Sequence, residues 1–398
     1  MCSYDEKESQ CLNGGQCSST NTCICASACF VGNFCQTEYN ALRLPLIGAI
    51  VQDTSSSQNT YIIIFLLFGL IGLINNLLAL TTFMRERIRI SAYGIYLILF
   101  SILSIGLMIT IFTYIVKIAG HDYHSYQIAS CHVIPFISLI MADGGALCTV
   151  AIAVERVFIE CLNFDIRGSR IRSSFVSLFI IIYVTASNID EIFIRRITQD
   201  LLGRNICTYG FDNYPIWRKF DIIFSYTHFL IPCLAHLICS ICVLTTIARR
   251  KIFVGISDKR FCHEWIKQLY SHRDFFIPPV CLVVCFIPHG LLGHLLSICI
   301  PYSNISMLRL HISFVLLLFV PQMLTFILYV YPNEICWKEF KRTFWYRKLG
   351  CYQYYRRKKR LQQQQAMSLL HQQRKITVST ITHELFICQS EQNSSLRS

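Results

Sequence analysis

Charge is what this chain has little of. Only 15% of its 398 residues are Asp, Glu, Lys or Arg, while 54% are hydrophobic. Soluble domains carry roughly 25% charge, so the chain is short of the ions that keep a surface in water. A single soluble core of this size is excluded, and the 13% aromatic content excludes a disordered chain. The net charge of +13 does not change this, because the basic residues are clustered. Reactive motifs are missing as well. There is no phosphate loop and no nucleophile elbow, and the histidines are scattered. Cys262 and His263 stand beside Glu264 without a second pair to complete a zinc site. No enzyme activity, cofactor, metal or nucleic-acid partner is expected. The internal repeats and paired broken helices of a transporter are also missing.

Long apolar runs are what the chain has. A bilayer core needs roughly 20 apolar residues as helix, and charged residues punctuate the chain into seven such segments, at about 61–84, 92–116, 131–155, 173–194, 222–248, 275–299 and 309–331. The alternating ten-residue pattern of a membrane barrel is not seen. The fold expected is an all-α membrane protein, a seven-helix transmembrane bundle over 61–331. With the first 60 residues placed outside, 27 of the 36 Lys and Arg fall on the opposite side and 9 on the outer side. This asymmetry places the amino terminus outside the cell and the carboxyl terminus in the cytoplasm.

Seven of the 21 cysteines lie in the first 35 residues. So short a segment needs disulfides in place of a core. Cys2, Cys11, Cys17, Cys23, Cys25 and Cys35, with Asn13-Gly14-Gly15 supplying a positive-φ turn, resemble an epidermal-growth-factor-like (EGF-like) module over 1–36. The resemblance implies the pairs Cys2–Cys17, Cys11–Cys23 and Cys25–Cys35. Cys29 is a seventh cysteine, either a free thiol or a point of intermolecular pairing. No acidic calcium-binding lead precedes Cys2. Residues 37–60 are expected to be an extracellular linker. No basic start or apolar stretch precedes the head, so either the first span exports it or the true start lies upstream of residue 1.

Polar residues inside spans narrow the class further, since each needs a partner or a task. Cys131 and Glu155-Arg156-Val157 bracket the third span, 25 residues or about 37 Å apart as helix. The sixth span contains Cys285-Phe286-Ile287-Pro288, the fifth contains Pro232, and the first contains Asn76-Leu77-Leu78. In these motifs residues 60–345 resemble the rhodopsin-like (class A, family 1) G-protein-coupled receptors. The resemblance implies a Cys131–Cys207 disulfide across the extracellular mouth. It also implies that Glu155 holds Arg156 at rest and releases it to meet a G-protein, with Phe286 a packing switch above the Pro288 kink. The departures are specific. Ser104 stands where the second span usually has an acid. Thr325-Phe326-Ile327-Leu328-Tyr329 replaces Asn-Pro-x-x-Tyr, and the loss of both the acid and the Asn implies that the family's internal sodium site is absent. Tyr329 remains as an activation residue.

Candidate pocket residues are Ser138, Asp143, His228, His289 and Gln322, with His294 and Phe286 beside them. Ser138 stands where amine receptors of this family carry Asp, which argues against a biogenic amine. The Asp190-Glu191 pair, followed by Arg195-Arg196, offers a charged mouth and leans the reading towards a peptide ligand. Asn304-Ile305-Ser306 is a glycosylation sequon on the outer side. Residues 332–348 are expected to form an amphipathic juxtamembrane helix capped by Asn333, with Cys336, Phe340 and Phe344 on one face. Residues 349–398 are expected to be a cytoplasmic tail, mostly disordered, with Cys351 a palmitoylation candidate. Arg356–Arg360 is basic enough to attract anionic lipid, and Thr377 to Thr382 offers phosphorylation sites for an arrestin-like partner. The function expected is a plasma-membrane receptor passing an extracellular signal to a heterotrimeric G-protein. The rival is an adhesion protein that uses the EGF-like head and keeps the spans as an anchor.

Overall fold

The computed structural model describes residues 11, 14–18, 23–26, 30–31, 34–35, 37–38, 46–119, 124–163, 169–199, 205–209, 215–253, 261–291, 304–348, 350, 354, 356–364 and 367. Cys2, Cys29, His294 and Cys351 lie outside them, as do residues 292–299 of the expected sixth span and most of the tail.

The amino-terminal segment contains two small antiparallel pairs, β1 (Gln16–Cys17) with β2 (Cys23–Ile24) and β3 (Phe30–Val31) with β4 (Thr37–Glu38). Disulfides join Cys11 to Cys23 and Cys25 to Cys35. Cys17 is also disulfide-bonded, to a partner outside the described residues. Gly14 adopts φ +75°, the left-handed region a glycine enters without cost. A Cβ on Gly15 would meet Cys35 Sγ at 2.9 Å, so the disulfide pins the backbone against this glycine.

Part of the expected linker is instead structure. Residues Leu46–Gln52 form helix α1, in which Ala49 and Ile50 are wholly buried. The run Leu-Ile-Gly-Ala-Ile-Val is apolar enough to join the core formed by Phe65, Leu107, Ile111, Leu308 and Ile312. Helix α2 (Ser55–Phe83) starts before the charge-free run. Then follow α3 (Glu86–Arg89) and α4 (Ala92–Ile118). Ser91 caps α4 by accepting the Gly94 N–H. A Cβ on Gly94 would fall 2.0 Å from the Ile88 carbonyl oxygen, so only glycine lets the turn close here.

Helix α5 (His124–Ile128) and one π-helical turn at Ala129–Val133 lead into α6 (Ile134–Glu160). Helices α7 (Ser169–Ser187) and α8 (Asp190–Ile194) precede an antiparallel hairpin, β5 (Arg195–Gln199) with β6 (Asn205–Tyr209). Helix α9 (Pro215–Phe253) is 39 residues long and carries Pro232. The expected loop after it contains helix α10 (Phe261–Ser271), in which Glu264 and Gln268 are buried. Then come α11 (Arg273–Gly290) and α12 (Ile305–Met323), the latter continuing into a second π-helical turn at Phe326–Val330. The juxtamembrane segment is two short helices, α13 (Glu334–Phe340) and α14 (Phe344–Lys348), rather than one. Asn333 Oδ1 caps the first by accepting the N–H of Ile335 and of Cys336, each at 3.0 Å. Residues 356–364, expected to be disordered, are helical and exposed.

Among the described residues six helices are long and apolar enough to cross a membrane, as a multi-pass membrane protein requires. The count becomes seven if Phe261–Ser271 and Phe276–Gly290, bent by 87° to one another, form one span. α2 packs on α4, α4 on α6 and α7, α6 on α9, α9 on α11, α11 on α12, and α12 back on α2, so the helices close a ring. Exposed Leu66, Leu70, Ile74, Phe175, Phe179, Leu234 and Leu237 turn apolar side chains outward, as lipid-facing surfaces do.

Helix α1 is tethered to the ring by an ion pair. Arg309 Nε lies 3.0 Å from Asp53 Oδ2, and its Nη2 lies 3.1 Å from Oδ1, a two-pronged contact. Tyr61 Oη donates to Asp53 Oδ2 at 2.8 Å and the Thr54 N–H to Oδ1 at 2.7 Å. Burial opposes ionisation of Asp53, but Arg309 and these donors outweigh it and hold the carboxyl below its usual value of 3.8. A carboxylate depressed in this way adds stability above its unfolded value, and that stability is lost as pH falls through the folded one. Arg309→Gln is therefore expected to lower the melting temperature of the purified protein at neutral pH, with the gap to wild type closing as pH falls below the usual value of Asp53. A gap independent of pH, followed by thermal unfolding across a pH series, would contradict the assignment.

Candidate functional site

Helix α6 organises the candidate site, because it carries a disulfide at one end and Arg156 at the other. At the first end Cys131, in the π-helical turn, is bonded to Cys207 of β6. Cys207 pairs with Ile197 across the hairpin, so the disulfide holds both strands over that end of the ring.

A cavity of about 160 Å³ lies beneath, lined by Ile47 of α1, Tyr114, Lys117, Ser138, Arg195 and Phe319 among others. Ser138 donates to the Ile134 carbonyl at 2.8 Å and lies 3.1 Å from the Tyr114 hydroxyl. Arg195 is buried and ion-paired with Glu191 one helical turn before it.

A second cavity, of about 150 Å³, lies between α6, α7, α8, α9 and α11. Four residues expected from the sequence meet there: Asp143, His228, Phe286 and His289. His228 Nδ1 lies 3.0 Å from Asp143 Oδ2, and its Nε2 lies 3.1 Å from Ser187 Oγ. Asn188 Nδ2 donates to the same Asp143 oxygen at 3.1 Å and to the Val184 carbonyl at 2.9 Å. Three helices are thereby joined through one carboxylate. Phe224 and His228 stack with ring centroids 6.3 Å apart, fixing the imidazole from the side. The rings of His289 and His311 are 5.9 Å apart, and no group of three or more His, Cys, Asp or Glu among the described residues is placed to hold a metal.

Several expectations are revised by position. Gln322 lines neither cavity. Its side-chain nitrogen donates to the Ala142 carbonyl at 2.8 Å, and its backbone oxygen accepts from Asn76 Nδ2 at 2.8 Å, so it ties α12 to α6 and α2. Asp190 and Glu191 do not form a solvent-facing mouth. They are 4% and 7% exposed and line the second cavity, because α8 turns them inward after the bend at residues 188–189. Ser187 and Asn188 join the site without having been expected there; a polar pair at the end of an apolar run, just before two acids, is the signal they carry in the sequence.

At the other end the Glu155 carboxylate, which the resemblance assigns to Arg156, accepts from Arg172 Nη2 at 2.6 Å. The Arg156 guanidinium lies 5.8 Å from the centre of the Tyr93 ring. Arg172 belongs to α7, so a charged clasp joins α6 to α7 beside Arg156. Tyr329 lies in the second π-helical turn with its ring edge-on to Phe100 at 5.4 Å, within a cluster of Leu103, Cys148 and Val184. Such turns recur at functional sites. Phe286 and Pro288 are half-buried on α11. Asn304 is exposed at the start of α12, where its Oδ1 accepts the Met307 N–H at 3.2 Å. No protein-family model and no curated protein matches this chain.

The disulfide spans 76 residues of chain, a loop long enough for its closure to matter. Replacing both Cys131 and Cys207 by Ser is expected to remove about 2–5 kcal/mol of stability. The expected readout is a lower melting temperature and a smaller folded fraction on size-exclusion chromatography. Unchanged melting would show that the hairpin is held by packing alone.

Proposed function

We propose that this chain is a rhodopsin-like G-protein-coupled receptor of the plasma membrane, glycosylated at Asn304, with an EGF-like head outside and a cytoplasmic tail. In this reading an extracellular ligand occupies the disulfide end and a heterotrimeric G-protein is activated at the Arg156 end. The observation that carries it is the arrangement along α6. The π-helical turn that leads into it holds the Cys131–Cys207 bond, and two adjoining cavities and then Glu155 and Arg156 follow along the helix. An anchor would need none of these.

The mechanism follows from which groups are already paired. Ligand contacts that favour one arrangement of α6, α9 and α11 shift the population of the whole ring. Pro288 leaves α11 short of a backbone hydrogen bond and gives it a place to bend. Movement of that helix exposes Arg156, which leaves the Tyr93 ring for the G-protein, while the Arg172–Glu155 clasp fixes the neighbouring helix as a stationary reference. The apolar lining of the first cavity and the charged lining of the second suit a peptide inserting a terminal segment better than they suit a small apolar molecule.

Arg156→Ala is expected to abolish nucleotide exchange on co-expressed G-proteins while surface expression, measured by antibody to the intact head, stays at the wild-type level. Exchange by the mutant equal to wild type would overturn the receptor reading. It would favour instead a cell-contact protein that uses the disulfide-bonded head and keeps the spans as an anchor.

A further inference from the structure

The second cavity concentrates acidic side chains. Three carboxylates line it. Asp143 is matched by His228 and Asn188, and Glu191 by Arg195. Asp190 is different. It is 4% exposed, and among the described residues it accepts from the backbone N–H of Glu191 at 3.1 Å and from its own N–H, with His228 acting on it from beyond ion-pair range. A buried carboxylate without a counter-ion is costly, and inside a span it calls for a partner or a task.

No group of three or more His, Cys, Asp or Glu among the described residues is placed to hold a metal. The cavity volume, about 150 Å³, is close to that of an engineered cavity which accepts benzene. It therefore admits the end of a basic side chain or a small amine, not a whole peptide. Phe224, Phe229 and Phe286 border the same space, and aromatic faces attract alkylammonium and guanidinium groups. The absence of an acid at Ser138 does not weigh against a cation here, because Asp143 lies five residues further along α6, about 7.5 Å deeper.

We propose that the second cavity is a subsite for a monovalent organic cation, an alkylammonium or guanidinium group, with Asp190 as its counter-ion and Asp143 as a second acceptor. Asp143 is held in place by His228 and Asn188 and shares one oxygen between them, which leaves its other oxygen for a donor from the ligand. The proposal rests on the receptor reading only for the source of the cation, an extracellular ligand. Binding itself needs no G-protein.

The test uses the purified full chain in lipid nanodiscs and three probes of one shape and different charge: benzamidine, benzamide and benzoate. Benzamidine is expected to stabilise the protein saturably, and the neutral and anionic probes to bind at least ~10-fold more weakly, the effect of about 1.4 kcal/mol. Asp190→Asn is expected to erase that preference. Equal binding of benzamidine and benzamide to wild type, or a full preference retained by Asp190→Asn, would overturn the proposal. If the variant does not fold, the wild-type charge series decides alone. Agmatine and a short peptide with one central arginine then assign the source. Tighter peptide binding points to a side chain of a peptide ligand, and tighter agmatine binding to a free amine. Failure here leaves the Arg156 exchange result standing, and loss of that result leaves the charge preference standing.

Discussion

A helix in hydrocarbon has no water to satisfy its polar groups, so every such group must find a partner inside the protein. Several contacts between the helices of this ring are of that kind, although Asn76 Oδ1, His236 Nδ1 and Gln322 Oε1 stay buried without a hydrogen-bond partner. Asn76 of α2 donates to backbone carbonyls of its own helix and of Gln322, and Gln322 reaches the carbonyl of Ala142 on α6. Thr149 of α6 lies 2.9 Å from His236 Nε2 on α9, a histidine buried to 2% exposure. Asp143, Asn188, Ser187 and His228 join α6, α7 and α9. Each stitch also fixes how closely two helices approach, and the spaces left between stitches are the two cavities.

Helix α6 takes part in several of these links, through Ala142, Asp143 and Thr149. Its path is braced rather than free: the Cys131–Cys207 bond holds the start, and Glu155, clasped to Arg172 of α7, holds the finish. Towards α9 it is linked through Asp143–His228, Thr149–His236 and Cys161–Thr246, with the second cavity beside these links. Pro232 and Pro288 interrupt the backbone ladder on α9 and α11.

Helix α1 adds a constraint of a different kind. Its buried Ala49 and Ile50 and the Asp53–Arg309 pair tie the chain before the first long helix to α12, against the first cavity. Residues 46–53, just before the first long helix, are therefore packed against the ring. Nothing in the polar stretch from Gln52 to Thr60 announces this. The apolar run 46–51 does, but it is too short to separate a buried turn of helix from a loop by pattern alone.

The sequence by itself determined the long apolar helices, their approximate limits, the basic asymmetry between loops and the residues with chemistry to offer. These are local properties, read from length and hydropathy along the chain. It also brought forward Asp143, His228, Phe286 and His289, because polar or aromatic groups stand out in an apolar run. Only the tertiary structure decided who partners whom. Asn188 reaches Asp143 across 45 residues and Ser187 reaches His228 across 41, pairings that exist only after the ring closes. Closure likewise turned Asp190 and Glu191 inward, made Gln322 a brace instead of a pocket wall, and gave Glu155 to Arg172. The physical reason is the same in each case: a polar side chain in hydrocarbon takes the nearest partner in space, and sequence distance does not record which one that is.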